Sequence, residues 1–315
     1  ITGAFNAFQF PAFSAAVTLM IPKEQYSRAA GMMDFAGASS GILAPAFAGA
    51  LLGPIGLGGI MAIDIATFIF AILAVLVVHM PQPAPEPHQA GTKRPSLVQD
   101  SLYGFRYILA RPSLMGLQLA FTAINFISAF GGVITIPLIL ARTGNNAGTL
   151  ATVESLAAFG GVAGGLIMST WGGPKRKTRG VLLGMSAESL LGPLVLGVSR
   201  TLPGWIFGGF MSQAWIPIIN GSNQAIWQSK VQPAVQGRVF ATRRMIAQIS
   251  FPVAVLFAGP LADRVFEPAM QGGGWAAQLF GPLVGTGPGA GMGLMVALSG
   301  LFGVVVGLIG YMVPT

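Results

Sequence analysis

Residues Gln232 to Arg264 read QPAVQGRVFATRRMIAQISFPVAVLFAGPLADR. A basic loop opens the stretch, an apolar helix-length run follows, and an Asp-Arg pair closes it. Pro22 to Leu52, PKEQYSRAAGMMDFAGASSGILAPAFAGALL, is built the same way. Shifted by 210 residues the two coincide at Arg28 and Arg238, Ser40 and Ser250, Phe47-Ala48-Gly49 and Phe257-Ala258-Gly259, and Leu51 and Leu261. Ala, Gly and Leu are common in this chain, so the identities gain weight from their setting. Both times a basic loop leads into a run long enough to cross a bilayer. Related segments in parallel orientation are how one class of membrane protein is assembled from two halves.

Composition points the same way. Charged residues make up 8% of the chain and hydrophobic residues 53%, and the mean hydropathy is +0.71. Soluble domains carry about 25% charged residues, so most of this surface does not face water. The 45 glycines and 22 prolines suit transmembrane helices. Without cysteine there is no disulfide and no thiolate metal site. His79 and His88 lie at or in a linker and form no cluster, so neither catalysis nor a metal is expected, and no cofactor. A net charge of +8 raises nucleic acid as a partner. The basic residues sit in short loops between apolar runs instead of on one polar face, which argues against it. No GxxxxGK[ST] is present, so nothing supports ATP-driven work by this chain.

A spanning helix needs about 20 mostly apolar residues. Nine segments meet that length: Thr2–Ile21, Ala29–Leu52, Gly58–Met80, Leu114–Leu140, Thr149–Trp171, Val181–Ser199, Leu202–Gln228, Thr242–Asp263 and Gly289–Val313. When the connections are numbered alternately, one set holds 14 of the 17 Lys and Arg residues. The other holds Arg142, Arg200 and Arg264. The rich set is expected to be cytoplasmic. The first helix then starts outside, and an outside start implies that an odd number of helices precedes Ile1.

The longest polar connection divides the chain into residues 1–80 with three helices, a linker over 81–113, and residues 114–315 with six. Its first part, PQPAPEPHQAGTKRP, is Pro-rich and reads as extended. SLVQDSLYGFRYILARPS follows, with Leu97, Leu102, Phe105, Ile108 and Leu109 at helical spacing. It reads as an amphipathic helix lying on the cytoplasmic surface.

Three sequences now resemble one family. They are GFRYILARPSL leading to Asn125-Phe126, the glycine-rich helix and basic loop ESLAAFGGVAGGLIMSTWGGPKRKTRG, and NGSNQAIWQSKVQPAVQGRVFATRRMIAQISFPVAVLFAGPLADR. Together they resemble major facilitator superfamily transporters of the drug-efflux type, similar to macrolide and enterobactin exporters. The resemblance runs from the fourth of twelve helices to the twelfth. It implies an all-α membrane protein, a helix bundle with about nine of twelve transmembrane helices present. It also implies a multi-pass location in the inner (plasma) membrane and a monomer. Two features depart from the pattern. Ser169 stands near the place where the basic-loop motif usually carries an acid, and Gly272–Gly293 is a longer outer insert than usual.

Ionisable groups inside spans are expensive and so are functional candidates. Glu188 lies midway along its segment and is the deepest acid. Burial in hydrocarbon disfavours charge, the property a proton carrier needs. Glu154 sits about a turn and a half inside the outer end of its helix. Asp34 follows Arg28 near a helix N-terminus, where a negative charge is also favoured on purely structural grounds. Asp64 near an outer helix end and Asp263-Arg264 read as interfacial groups. Amides form the second signal. Gln213, Asn220, Gln224 and Trp227 share one face, as do Gln118, Thr122 and Asn125, and Asn6, Gln9 and Phe13 in the first helix. Amides interleaved with aromatics suit large, mostly apolar ligands; the alternative is hydrogen bonding between helices.

The resulting expectation is a secondary transporter that exports amphipathic small molecules by alternating access, with the bilayer and such a substrate as partners. Proton coupling through Glu188, Glu154 or Asp34 is expected, and Arg28, Arg238, Arg243 and Arg244 are expected to act at the inner gate. A siderophore or lipid exporter of the same fold, or a non-transporting scaffold or sensor, is the alternative.

Overall fold

The computed structural model describes residues 2–77, 97–271 and 274–312. The side chains of residues 2–10, 46, 49, 97–101 and 312 lie outside the description, as do His79, His88 and the Pro-rich part of the linker. Among the described residues there are helices and turns and no strand. In chain order they are α1 (Thr2–Met20), α2 (Tyr26–Val77), α3 (Leu97–Leu109), α4 (Pro112–Arg142) and α5 (Ala147–Trp171). Then come α6 (Lys177–Leu191), α7 (Pro193–Val198), α8 (Leu202–Lys230), α9 (Gln236–Gln248) and α10 (Ser250–Leu261). A π-helical turn (Ala262–Phe266), α11 (Glu267–Met270), α12 (Trp275–Val284) and α13 (Ala290–Met312) complete the chain.

Six described helical stretches are, by length and composition, apolar enough to cross a membrane: Ala50–Val77, Pro112–Arg142, Ala147–Trp171, Lys177–Val198, Pro233–Met270 and Ala290–Tyr311. The 29-residue α8 is long enough but less apolar, because amides, prolines and tryptophans interrupt it. Two expected segments meet in α2, which is two helices joined across Gly56. There φ is 62° and ψ −177°, a conformation that favours glycine. The expected sixth segment is broken into α6 and α7 at Gly192-Pro193, where proline cannot continue the backbone ladder. The expected helix over Thr242–Asp263 is longer. It starts at Gln236 and, through the π-helical turn, reaches Met270.

The amphipathic linker helix forms as α3, and it packs on α9 and α4. Its protein-facing side is Gly104, Tyr107 and Ile108, while Leu102 and Leu109 stay exposed. A Cβ at Gly104 would overlap the Thr242 hydroxyl, so glycine sets the depth of this docking.

Three apolar cores form among the described residues, one of them around Met270, Ala276 and Leu294; the other two hold the body of the bundle. One, at the basic end, gathers Tyr107, Leu114, Val181, Met185, Trp227, Val235 and Phe240. The other gathers Leu138, Val153, Trp205, Ala258 and Val296. α5 packs against both α8 and α2. Asn146 caps its start by accepting from the Thr149 N–H at 3.0 Å. Gly172, at φ 80°, ends it. Within α5 the pairs Gly160-Gly161 and Gly164-Gly165 serve two neighbours. A Cβ at Gly160 or Gly164 would overlap the backbone of Phe210 or Ala214 on α8. A Cβ at Gly165 would lie 2.7 Å from the backbone N and Cα of Phe35 on α2. Small residues allow this approach on both sides.

At the other end, the insert after Gly272 is ordered structure over its described part. The guanidinium of Arg200 donates to the carbonyls of Gly281, Pro282 and Leu283 at 3.1–3.3 Å, capping the C-terminus of α12. Arg142 donates to Val284 O at 2.8 Å and to the carbonyls of Gly197 and Ser199. Two of the three arginines expected on the outer side thus converge on one helix end.

Candidate functional site

α1, the first part of α2, α4, α8 and α9 enclose a cavity of about 280 Å³. Ser14, Tyr26, Met33 and Asp34 line it from the front segment, before the linker. Gln118, Phe121, Asn220, Gln224, Gln228, Phe240, Arg243 and Arg244 line it from behind the linker. A second cavity of about 380 Å³ lies between α2, α5 and α8, lined by Asp34, Gly37, Gly41, Gly161 and Gln213 among others. Asp34 belongs to both.

The polar groups of the first cavity are incompletely paired. Arg243 donates to Gln224 Oε1 at 2.9 Å and lies 5.2 Å from the Trp227 ring centroid. Gln224 Nε2, Gln228 Oε1 and Asp34 Oδ2 are buried with no hydrogen-bond partner among the described residues. Gln228 uses its other end to donate to Ser14 O at 3.2 Å, tying α8 to α1. Gln118 donates to Thr122 Oγ1 and to Arg243 O, both at 3.4 Å. A buried polar atom without a partner costs about 1–3 kcal/mol. Several of them around one void describe a space that gains from a ligand carrying a few donors and acceptors on an apolar body.

The front and back segments meet at the basic end. Arg28 packs across Gly172, Phe35 packs on Gly165, and Gly161 faces Ala38. Further along α2, no residue from Leu51 to Val77 is buried. Contact between the segments therefore thins away from the basic loops.

The sequence-derived candidates separate on this geometry. Gln118, Asn220, Gln224, Asp34, Arg243 and Arg244 line the first cavity and Gln213 the second. Thr122 touches the first through Gln118, and Asn125 is half-buried off both. Trp227 is fully buried in the basic-end core and donates to Asn223 Oδ1 at 3.1 Å. The side chains of Asn6 and Gln9 lie outside the described residues. Glu188 is 6% exposed and accepts from Ser189 Oγ at 3.1 Å, inside the back bundle and off both cavities. Glu154 is exposed on α5. Arg238 lies 4.7 Å from the ring centroid of Tyr103, so it reaches the linker helix.

Gln228 was not singled out in the sequence, although its signal is simple. It stands four residues beyond Gln224, and side chains four apart stack on one helix face. Trp227 is three beyond, on the other side of that line, and falls into the core.

The sequence profile described as Major Facilitator Superfamily matches residues 1–255. The chain belongs to this superfamily. Its members are membrane transporters, not enzymes, and this chain is a multi-pass member. It is similar to macrolide efflux protein A of Streptococcus pyogenes, 25% identical over 266 residues. That match covers 82% of this chain and 64% of the relative, so the chain spans just under two-thirds of that relative's length. Macrolide efflux protein A of Enterococcus faecalis is 26% identical over 256 residues, covering 79% of this chain and 77% of that protein. An uncharacterized MFS-type transporter of Bacillus subtilis is 28% identical over 148 residues, 46% of this chain and 34% of its own length.

Proposed function

We propose that this chain is part of a secondary active exporter of amphipathic small molecules, of macrolide type, that works by alternating access. The observation that carries the reading is the cavity between front and back segments, with Asp34 on one wall and Arg243, Gln224 and Gln228 on the other. A non-transporting scaffold has no use for buried amides without partners around a void. The similarity to macrolide efflux proteins supports the substrate class.

In this reading the chain comprises a front bundle (1–80), a linker (81–113) and a back bundle (114–315). The 14 basic residues of the rich set lie in the cytoplasm, and the protein acts as a monomer in the bacterial inner membrane. The contact between the segments at the basic end is read as an outward-facing arrangement of the transporter. Opening inward requires α2 to leave α5 at Phe35–Gly165 and Arg28 to leave Gly172. Proton coupling runs through Asp34, which is the one of the three candidate acids that faces the substrate space. A proton and a substrate that compete for one carboxylate exchange with each other, and export is driven by the proton gradient.

The test is accumulation of a macrolide in cells expressing the full-length protein, with and without a proton uncoupler. Lower accumulation that the uncoupler abolishes supports the reading. Equal accumulation with and without the protein overturns it.

A further inference from the structure

A third cavity, about 650 Å³, lies wholly behind the linker, between α4, α6, α8 and α13. It shares no lining residue with the two described above. Its walls are apolar: Leu117, Ala120 and Ala123 of α4, Leu182 of α6, Ile226 of α8 and Val306 of α13. Its polar groups gather at one end. Lys177 is the first residue of α6, Lys230 the last of α8, and Ser113 the second of α4. Thr178 and Ser229 lie beside them. Among the described residues no carboxylate lines it.

Three facts select the occupant. The lysine end is the basic end of the bundle, next to Lys175, Arg176 and Arg179. The α4 wall from Ser113 to Ala123 is about 15 Å long at about 1.5 Å per residue. That is half of a hydrocarbon core about 30 Å thick, the depth of one leaflet. Lys177 uses one of its three donors on Gly172 O at 2.7 Å, and Lys230 is exposed and forms no ion pair among the described residues. A fully apolar molecule would leave the ammonium groups unanswered, and a free anion would leave the apolar walls empty.

We infer that this cavity binds one anionic phospholipid of the leaflet facing the basic loops, headgroup on Lys177 and Lys230 and acyl chain along α4 and α13. Basic pockets between transmembrane helices take acidic headgroups in this way. The site stands independently of the substrate cavity and does not need the transport reading to hold.

Native mass spectrometry of the purified full-length protein tests it, with phosphatidylglycerol and phosphatidylcholine supplied at equal load. Wild type retains one phosphatidylglycerol with a preference on the order of tenfold. Lys177→Gln combined with Lys230→Gln loses the preference, and Lys177→Arg combined with Lys230→Arg keeps it. Ala120→Trp, which narrows the apolar wall and keeps both lysines, reduces retention of either lipid. Millimolar inorganic phosphate does not displace the lipid. Equal retention of the two lipids by wild type overturns the inference, as does unchanged preference in the double Gln variant. Full retention in Ala120→Trp, or displacement by phosphate, also overturns it. If the double Gln variant does not fold, Ala120→Trp and the double Arg variant decide.

Discussion

Gly165→Ala is the substitution with the sharpest expected outcome. The new methyl would sit 2.7 Å from the backbone N and Cα of Phe35. Carbon contacts are most favourable at about 3.5–4.0 Å, so α2 must retreat by about 1 Å. The obstacle is backbone, which cannot rotate aside. Overfilling a packed contact costs about 1–3 kcal/mol. If that cost falls on the state in which α2 and α5 touch, its population relative to the opened state drops by about 5- to 150-fold. Gly161→Ala, one turn away on the same face, is the control. Its methyl would meet Ala38 Cβ at 3.4 Å and Gln213 Cβ at 4.0 Å, close to ordinary contact. It should change stability by about 0.5 kcal/mol or less. The assay is macrolide retention in cells together with the unfolding temperature of the purified full-length protein. Gly165→Ala should raise retention and lower the unfolding temperature, while Gly161→Ala leaves both near wild type. Identical behaviour of the two variants would refute the α2–α5 contact as the closing surface.

Other positions give independent tests. Arg243→Ala removes the 2.9 Å bond to Gln224 and the cation beside Trp227; a hydrogen bond to a charged group is worth about 1.5–3 kcal/mol. Macrolide binding followed by tryptophan fluorescence should weaken at least tenfold, and unchanged affinity would remove Arg243 from the site. Asp34→Asn should abolish the dependence of export on a pH gradient, whereas Glu188→Gln should preserve it because Glu188 lies off the cavities; the reverse pattern would move coupling to Glu188. Arg200→Ala leaves three carbonyls of α12 uncapped. Amide exchange over Trp275–Val284 should accelerate while macrolide export stays at wild-type level, and unchanged exchange would contradict the capping role.

Much of this was legible in the sequence because lipid imposes length. Apolar runs of bilayer size located the helices, and the counting of Lys and Arg grouped the loops. Position along a helix was legible too: Glu188, midway along its run, is buried. What a single sequence does not encode is which way each face turns once helices cross. Asp34 read both as a candidate for coupling and as a group suited to a helix N-terminus. It faces both cavities because α2 crosses α5 at Gly161 and Gly165, and that crossing is a property of two helices together. The amide face of α8 was displaced by one position for the same reason, with Gln228 on the cavity and Trp227 in the core. The break at Gly192-Pro193 was hidden inside one apolar run. The insert after Gly272 gave no signal, since its anchors, Arg142 and Arg200, lie 142 and 81 residues from the carbonyls they bind.

The most direct measurement uses the absence of cysteine from these 315 residues. A Cβ at Gly161 would lie 3.4 Å from Ala38 Cβ, close to the ~3.5–4.5 Å separation found in disulfides. Ala38→Cys combined with Gly161→Cys in the full-length protein should form a bond under mild oxidant and hold the basic end shut. Macrolide export should stop on oxidation and return on reduction, with each single variant insensitive to both. Undiminished export by the oxidised, fully cross-linked protein would contradict alternation between the two segments.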